Sequence, residues 1–158
     1  MEEEFLTMKL KELFPQINEI DISRPIGHVL AESKELKSHK SKIELGYKLF
    51  LCCCLISVKE KMPMAGPSGV IDDMWHAHIL DSELYHRHCE KIFGSYLHHN
   101  PNKVSDQVSN ELPDELPYDV NSCALYETVK ILSKNHGWLK KSLPLIAFLS
   151  QKNIHRLK

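Results

Sequence analysis

The stretch SKIELGYKLFLCCCLIS, residues 41–57, decides the fold. Its apolar residues eventually surround the whole turn of a helix, which is what a helix buried on most sides requires. Such a helix needs other helices around it, and the flanking sequence supplies them. Glu2 to Phe14 has Leu6, Leu10, Leu13 and Phe14 on one side and Glu4 and Lys11 roughly opposite, the pattern of an amphipathic helix that Pro15 stops. Asp21 to Pro25 reads as a turn with Ser23 as a cap, followed by a short helix from Pro25 to about Leu36 and a charged hinge at Lys37 to Lys42.

Downstream, Glu60-KMPMAGPSG-Val70 is a loop, and Ser68 is placed to cap the next helix, with Asp72 and Asp73 in its first turn where the helix dipole favours carboxylates. That helix runs to about Leu80. Asp81-Ser82 bends or restarts it before a second stretch that Gly94 stops. A polar surface loop is expected over 102–117. Helices are then expected over Tyr118 to Asn135, closed by Gly137, and over Leu145 to about Lys152 behind Pro144. No Val/Ile alternation supports a sheet. The expectation is an all-α, compact single-domain bundle of about six to seven helices spanning 1–158.

Composition excludes several classes. The 20 Lys+Arg balance 21 Asp+Glu, so no global field draws the chain to nucleic acid or to an anionic membrane. The N-terminus is acidic before it is apolar, unlike a signal peptide, and the apolar run Leu49 to Ile56 is too short to cross a bilayer. A cytoplasmic location is expected. Five cysteines, three of them consecutive at Cys52–Cys54, suit a reducing compartment and read as core filler rather than a disulfide framework.

The chemistry concentrates in IDDMWHAHILDSELYHRHCEKIFGSYLHHN, residues 71–100, which holds six of the ten histidines. Imidazole is a common metal ligand and titrates near neutrality. Asp72 and His76 share a helical face, while His78 points to the other side, so Trp75-His76-x-His78 is not a two-histidine chelate. Tyr85, His88, Cys89 and Ile92 share a face of the second stretch. His98 and His99 lie beyond the Gly94 stop, where the chain can fold back. A metal site is therefore expected from Asp72 and His76 with His98 or His99, and with Cys89 as a further donor. Three N/O ligands plus water form an open site, whereas four with a thiolate form a closed structural zinc. Alternatively, Asp72 accepts from a histidine N–H as an outer support, or the pair is a structural hydrogen bond.

These residues also carry a resemblance. The segment from Tyr47 to Pro101 resembles the core of the glycine-rich domain-containing protein-like family. The matching positions are Pro67-Ser68, Ile71-Asp72, Trp75-His76-x-His78, Tyr85, Cys89, Gly94 and His98-His99-x-Pro101. The glycine-rich tract of the plant members is absent here, and any role of that tract is not carried over. The resemblance covers about a third of the chain. It implies a compact helical domain in which Asp72, His76, His78, Tyr85, Cys89, His98 and His99 belong to one constellation.

Three functions compete at this point. One is a metal-binding domain, with zinc the first choice and Fe, Ni or Co also compatible with mixed N/O ligation. Another is a protein-interaction module in which the His/Trp/Tyr cluster is structural and a protein partner docks on the chain's outer parts, including the acidic stretch Ser105 to Glu115. The third is a switch that responds to histidine protonation. The sequence names no reaction.

Overall fold

The computed structural model describes residues 1–62, 66–99 and 120–151. Within them the secondary structure is helical without a strand, as an all-α bundle requires. Eight α-helices are described: α1 (Glu2–Leu13), α2 (Pro15–Asn18), α3 (Ser23–Glu32), α4 (Lys40–Glu60), α5 (Gly69–Leu80), α6 (Ser82–Phe93), α7 (Val120–Leu132) and α8 (Leu143–Leu149). Two 3-10 helices, Lys34–His39 and Gly137–Ser142, lead into α4 and α8.

The central helix is α4. Every residue from Leu45 to Ser57 is buried, the three cysteines included, because α1, α2, α3, α5, α7 and α8 all pack on it. Each fully buried Leu or Phe of this helix contributes about 1.5–3 kcal/mol through apolar area removed from water. Burial also pushes the Cys53 thiol up to about 12 and holds Cys52 and Cys54 well above the ordinary range, so all three stay protonated. Among the described residues no helix is long and apolar enough to cross a membrane.

Several local expectations change. Pro15 ends α1 but also opens α2, since a proline's missing N–H costs nothing in a first helical turn. This short helix raises the number above the six to seven expected. Leu13, expected on the buried face, is 45% exposed, while Phe14 turns inward toward Trp138. Helix α3 begins at Ser23 itself with Ile22 in the N-cap position, so Ser23 is not its cap; the Ser23 backbone N–H donates to Asp21 Oδ1 at 2.9 Å. The lysine-rich hinge at 37–42 is instead a 3-10 turn running into the start of α4. Ser68 occupies the N-cap position of α5 without a side-chain cap bond; its hydroxyl donates to the Ser150 carbonyl at 3.2 Å.

The last helix among the described residues is Leu143–Leu149, with Pro144 in its first turn rather than before it. The polar loop expected over 102–117, residues Tyr118 and Asp119 of the expected helix and the end at Lys152 lie outside the described residues.

Gly94 ends α6 in the left-handed conformation (φ 73°) and donates its N–H to the Glu90 carbonyl at 3.1 Å, the stop expected of it. This turn sends residues 95–99 back across α5, which is what assembles the site.

Candidate metal centre

Helix α5 separates its polar residues by face. Asp72 and His76, one turn apart, look outward, while Met74, Trp75 and His78 are buried. His99 joins Asp72 and His76 because the returning segment is pinned twice. Tyr85 donates its hydroxyl to the Leu97 carbonyl at 2.5 Å, and the His99 ring stacks on Trp75 with centroids 4.1 Å apart. Trp75 in turn donates its indole N–H to the Tyr85 oxygen at 3.0 Å. A buried Tyr–Trp pair thus sets the position of a histidine more than a dozen residues away in sequence.

The three donor atoms form a triangle. His76 Nε2 and His99 Nε2 are 2.9 Å apart, His99 Nε2 and Asp72 Oδ1 3.3 Å, and His76 Nε2 and Asp72 Oδ1 3.6 Å. Tetrahedral ligation at metal–ligand lengths of about 2.0–2.1 Å gives ligand–ligand edges of about 3.3 Å. The mean edge of the triangle matches that value. One imidazole N–H shared between the two Nε2 atoms accounts for the shortest edge. Such contacts also occur without metal; it is the three-way convergence that makes the group a candidate.

The other expected donors fall elsewhere. His98 is exposed and lies beside Tyr96, with ring centroids 4.7 Å apart. Cys89 is buried under Tyr85 and the Leu97 backbone. Desolvation pushes its thiol up, which disfavours the thiolate a metal would need. His78 faces the opposite side of α5, as its position two residues from His76 implies. It is 1% exposed and sits between Tyr47 of α4 and His88 of α6.

That second group forms a directed chain of hydrogen bonds. Burial holds the Tyr47 phenol well above its ordinary range, so Tyr47 keeps its proton and donates to His78 Nδ1 at 2.6 Å. His78 then carries its proton on Nε2 and donates to His88 Nδ1 at 2.7 Å. Desolvation, with a smaller contribution from His88, drops His78 to about 3; desolvation and then Arg87 and Lys91 lower His88. Both rings are neutral at pH 7. The chain fastens α4, α5 and α6 together without a charge. Tyr47, the α4 partner of His78, was missed from sequence, because only long-range contact brings residues 47 and 78 together.

The Tyr85 hydroxyl is the shared support of the metal-side residues. Tyr85→Phe is expected to cost about 1–3 kcal/mol, since it leaves the Trp75 N–H and the Leu97 carbonyl without their partner. It should also raise hydrogen exchange across 95–99. Unchanged exchange there would show that the stacking on Trp75 alone fixes the segment.

A cleft of about 590 Å³ adjoins the triangle, lying between α3 and α5 with His76 on its wall. Across its end, Arg24 of α3 pairs with Asp81 at 3.0 Å. Neither the cleft nor this ion pair was visible in the sequence, since both depend on how α3 seats against α5.

No curated protein and no solved structure matches the chain. One family model does, over residues 7–116, a span that runs from the first helix past His99 and holds Asp72, His76, His78 and Cys89 as well. On that match the chain belongs to the UCP032817-like family.

Proposed function

We infer that this protein is a helical metal-binding domain that takes one divalent transition metal, zinc first among them, on Asp72, His76 and His99. The observation that carries the reading is the triangle of donor atoms with edges of 2.9, 3.3 and 3.6 Å. Two imidazoles and a carboxylate suit zinc, and also Fe, Ni or Co. Three protein ligands leave a coordination position for water, and a bound metal there would supply Lewis acidity and an activated water.

The test is elemental analysis of tag-free protein purified without chelator. About one equivalent of metal is expected in the wild type and in His98→Ala, against about 100-fold weaker uptake in His76→Ala and His99→Ala. Folded wild type that holds no metal after dialysis against zinc would remove the reading. So would loss in His98→Ala equal to that in His99→Ala.

A second reading is a protein-docking module with the histidines as scaffold. It is favoured by the Tyr85–Trp75–His99 stack, which ties residues 95–99 to a buried aromatic pair through protein contacts. Under it, His99→Ala lowers stability and metal content stays at zero throughout.

A further inference from the structure

We propose that the Asp72–His76–His99 centre, when it holds iron(II), takes dioxygen as a substrate, with Trp75 as the first oxidisable group that the reaction meets. The proposal rests on the metal reading above and adds a reaction to it.

The donor set is the first argument. Two imidazoles and one carboxylate on one side of a metal, with the other positions open, is the ligation of non-haem iron(II) oxygenases. Among the described residues the convergent group has three members, Asp72, His76 and His99. Cys89 is buried, and His78 is bonded to Tyr47 and His88, so neither closes the remaining positions. His76 is 55% exposed and also lines the cleft between α3 and α5, which leaves a small molecule a way in. Dioxygen carries no charge, so the sign of the charges along that cleft does not decide its entry.

The surroundings are the second. The Trp75 indole stacks on the His99 ring with centroids 4.1 Å apart and planes 26° from parallel. Its N–H donates to the Tyr85 oxygen at 3.0 Å, and the Phe50 ring lies against it at 4.9 Å. An apolar shell of this kind controls solvent access and the redox potential of a metal beside it. It also puts an electron-rich ring in contact with a metal ligand. Trp75 is only 4% exposed, so oxidants in solution reach it poorly, whereas oxidation that starts at the centre meets it first.

The reaction balances with a two-electron donor such as ascorbate. One oxygen atom of dioxygen enters a ring C–H bond of Trp75 to give a hydroxyl. The other leaves as water, with two electrons and two protons drawn from ascorbate, which becomes dehydroascorbate. An organic molecule seated in the cleft would present its own C–H bond in place of the indole.

The chain's two tryptophans allow a direct test, because Trp138 is half-buried and away from the centre. The full chain is stripped of metal, loaded with equimolar iron(II) under nitrogen, and its metal content measured. Nitric oxide, standing in for dioxygen, is expected to give the paramagnetic resonance signal of a high-spin iron–nitrosyl in the wild type and not in His76→Ala. Isotopically labelled dioxygen and ascorbate are then added, and peptides are weighed by mass spectrometry. Label on Trp75 is expected at least about tenfold above that on Trp138, and about tenfold above Trp75 in the zinc-loaded chain and in His76→Ala. No nitrosyl signal, no label on Trp75, equal label on both tryptophans, or label undiminished in His76→Ala would overturn the oxygen reaction and spare the metal reading. So would refusal of iron by a chain that takes zinc. A chain that takes up neither metal overturns both, and the metal measurement tells the two failures apart.

Discussion

Folding stability is expected to fall by on the order of 3 kcal/mol between pH 6.5 and pH 4, through His78 alone. In the unfolded chain this imidazole takes a proton below about 6.5, whereas in the fold burial drops it to about 3. The unfolded state thus binds more protons throughout that interval, and stability rises with pH where that holds. The contribution is complete above the unfolded value and drains away as the pH falls toward the folded one. His88, lowered for the same reason, acts in the same direction.

The measurement is a series of urea midpoints with chelator present, for the wild type and for His78→Gln, which does not titrate. The variant should be the less stable protein at pH 7, since it disturbs the bonds to Tyr47 and His88. Its acid slope should be shallower by about 1.4 kcal/mol per pH unit. Parallel slopes would mean that His78 takes its proton inside the fold.

Gly69→Ala is the second large effect, expected at about 3 kcal/mol or more. Gly69 begins α5 at φ 61°, where an L side chain costs about 1–2 kcal/mol. A Cβ there would also meet the Leu149 carbonyl oxygen at 2.5 Å and the Gln151 oxygen at 3.0 Å. Those are backbone atoms, which cannot rotate away, so the start of α5 and the end of α8 must separate. Gly94→Ala is the internal control: φ is 73°, but nothing lies within 4 Å of the added carbon, so the conformational cost alone remains. Unfolding both variants in urea separates strain from collision. Equal losses would show that residues 149–151 yield without penalty.

These two sites also mark what the sequence discloses. The burial of α4 is legible because residues 45–57 offer no polar face, and that condition holds whatever packs around the helix. The opposed faces of His76 and His78 follow from helical periodicity alone. The choice between His98 and His99 is different. Both sit outside a helix, where no period assigns a direction, and the outcome is set by Trp75 and by the Tyr85–Leu97 bond. The Ser68 hydroxyl fails as a cap for a similar reason, because the bond it donates to the distant Ser150 carbonyl sets its orientation, and its oxygen accepts no N–H of α5. Local rules located the elements; contacts across many residues selected the partners.

The bond from Ser68 to Ser150 spans 82 positions, and it has a consequence for synthesis. At about 5–20 residues per second, a ribosome takes about 4–16 s to move from one residue to the other. Throughout that interval the nascent helix that carries Trp75 and His76 lacks the segment on which its first turn rests. The face of α5 that α8 covers stays open to solvent in this window, until Leu143–Leu149 emerges.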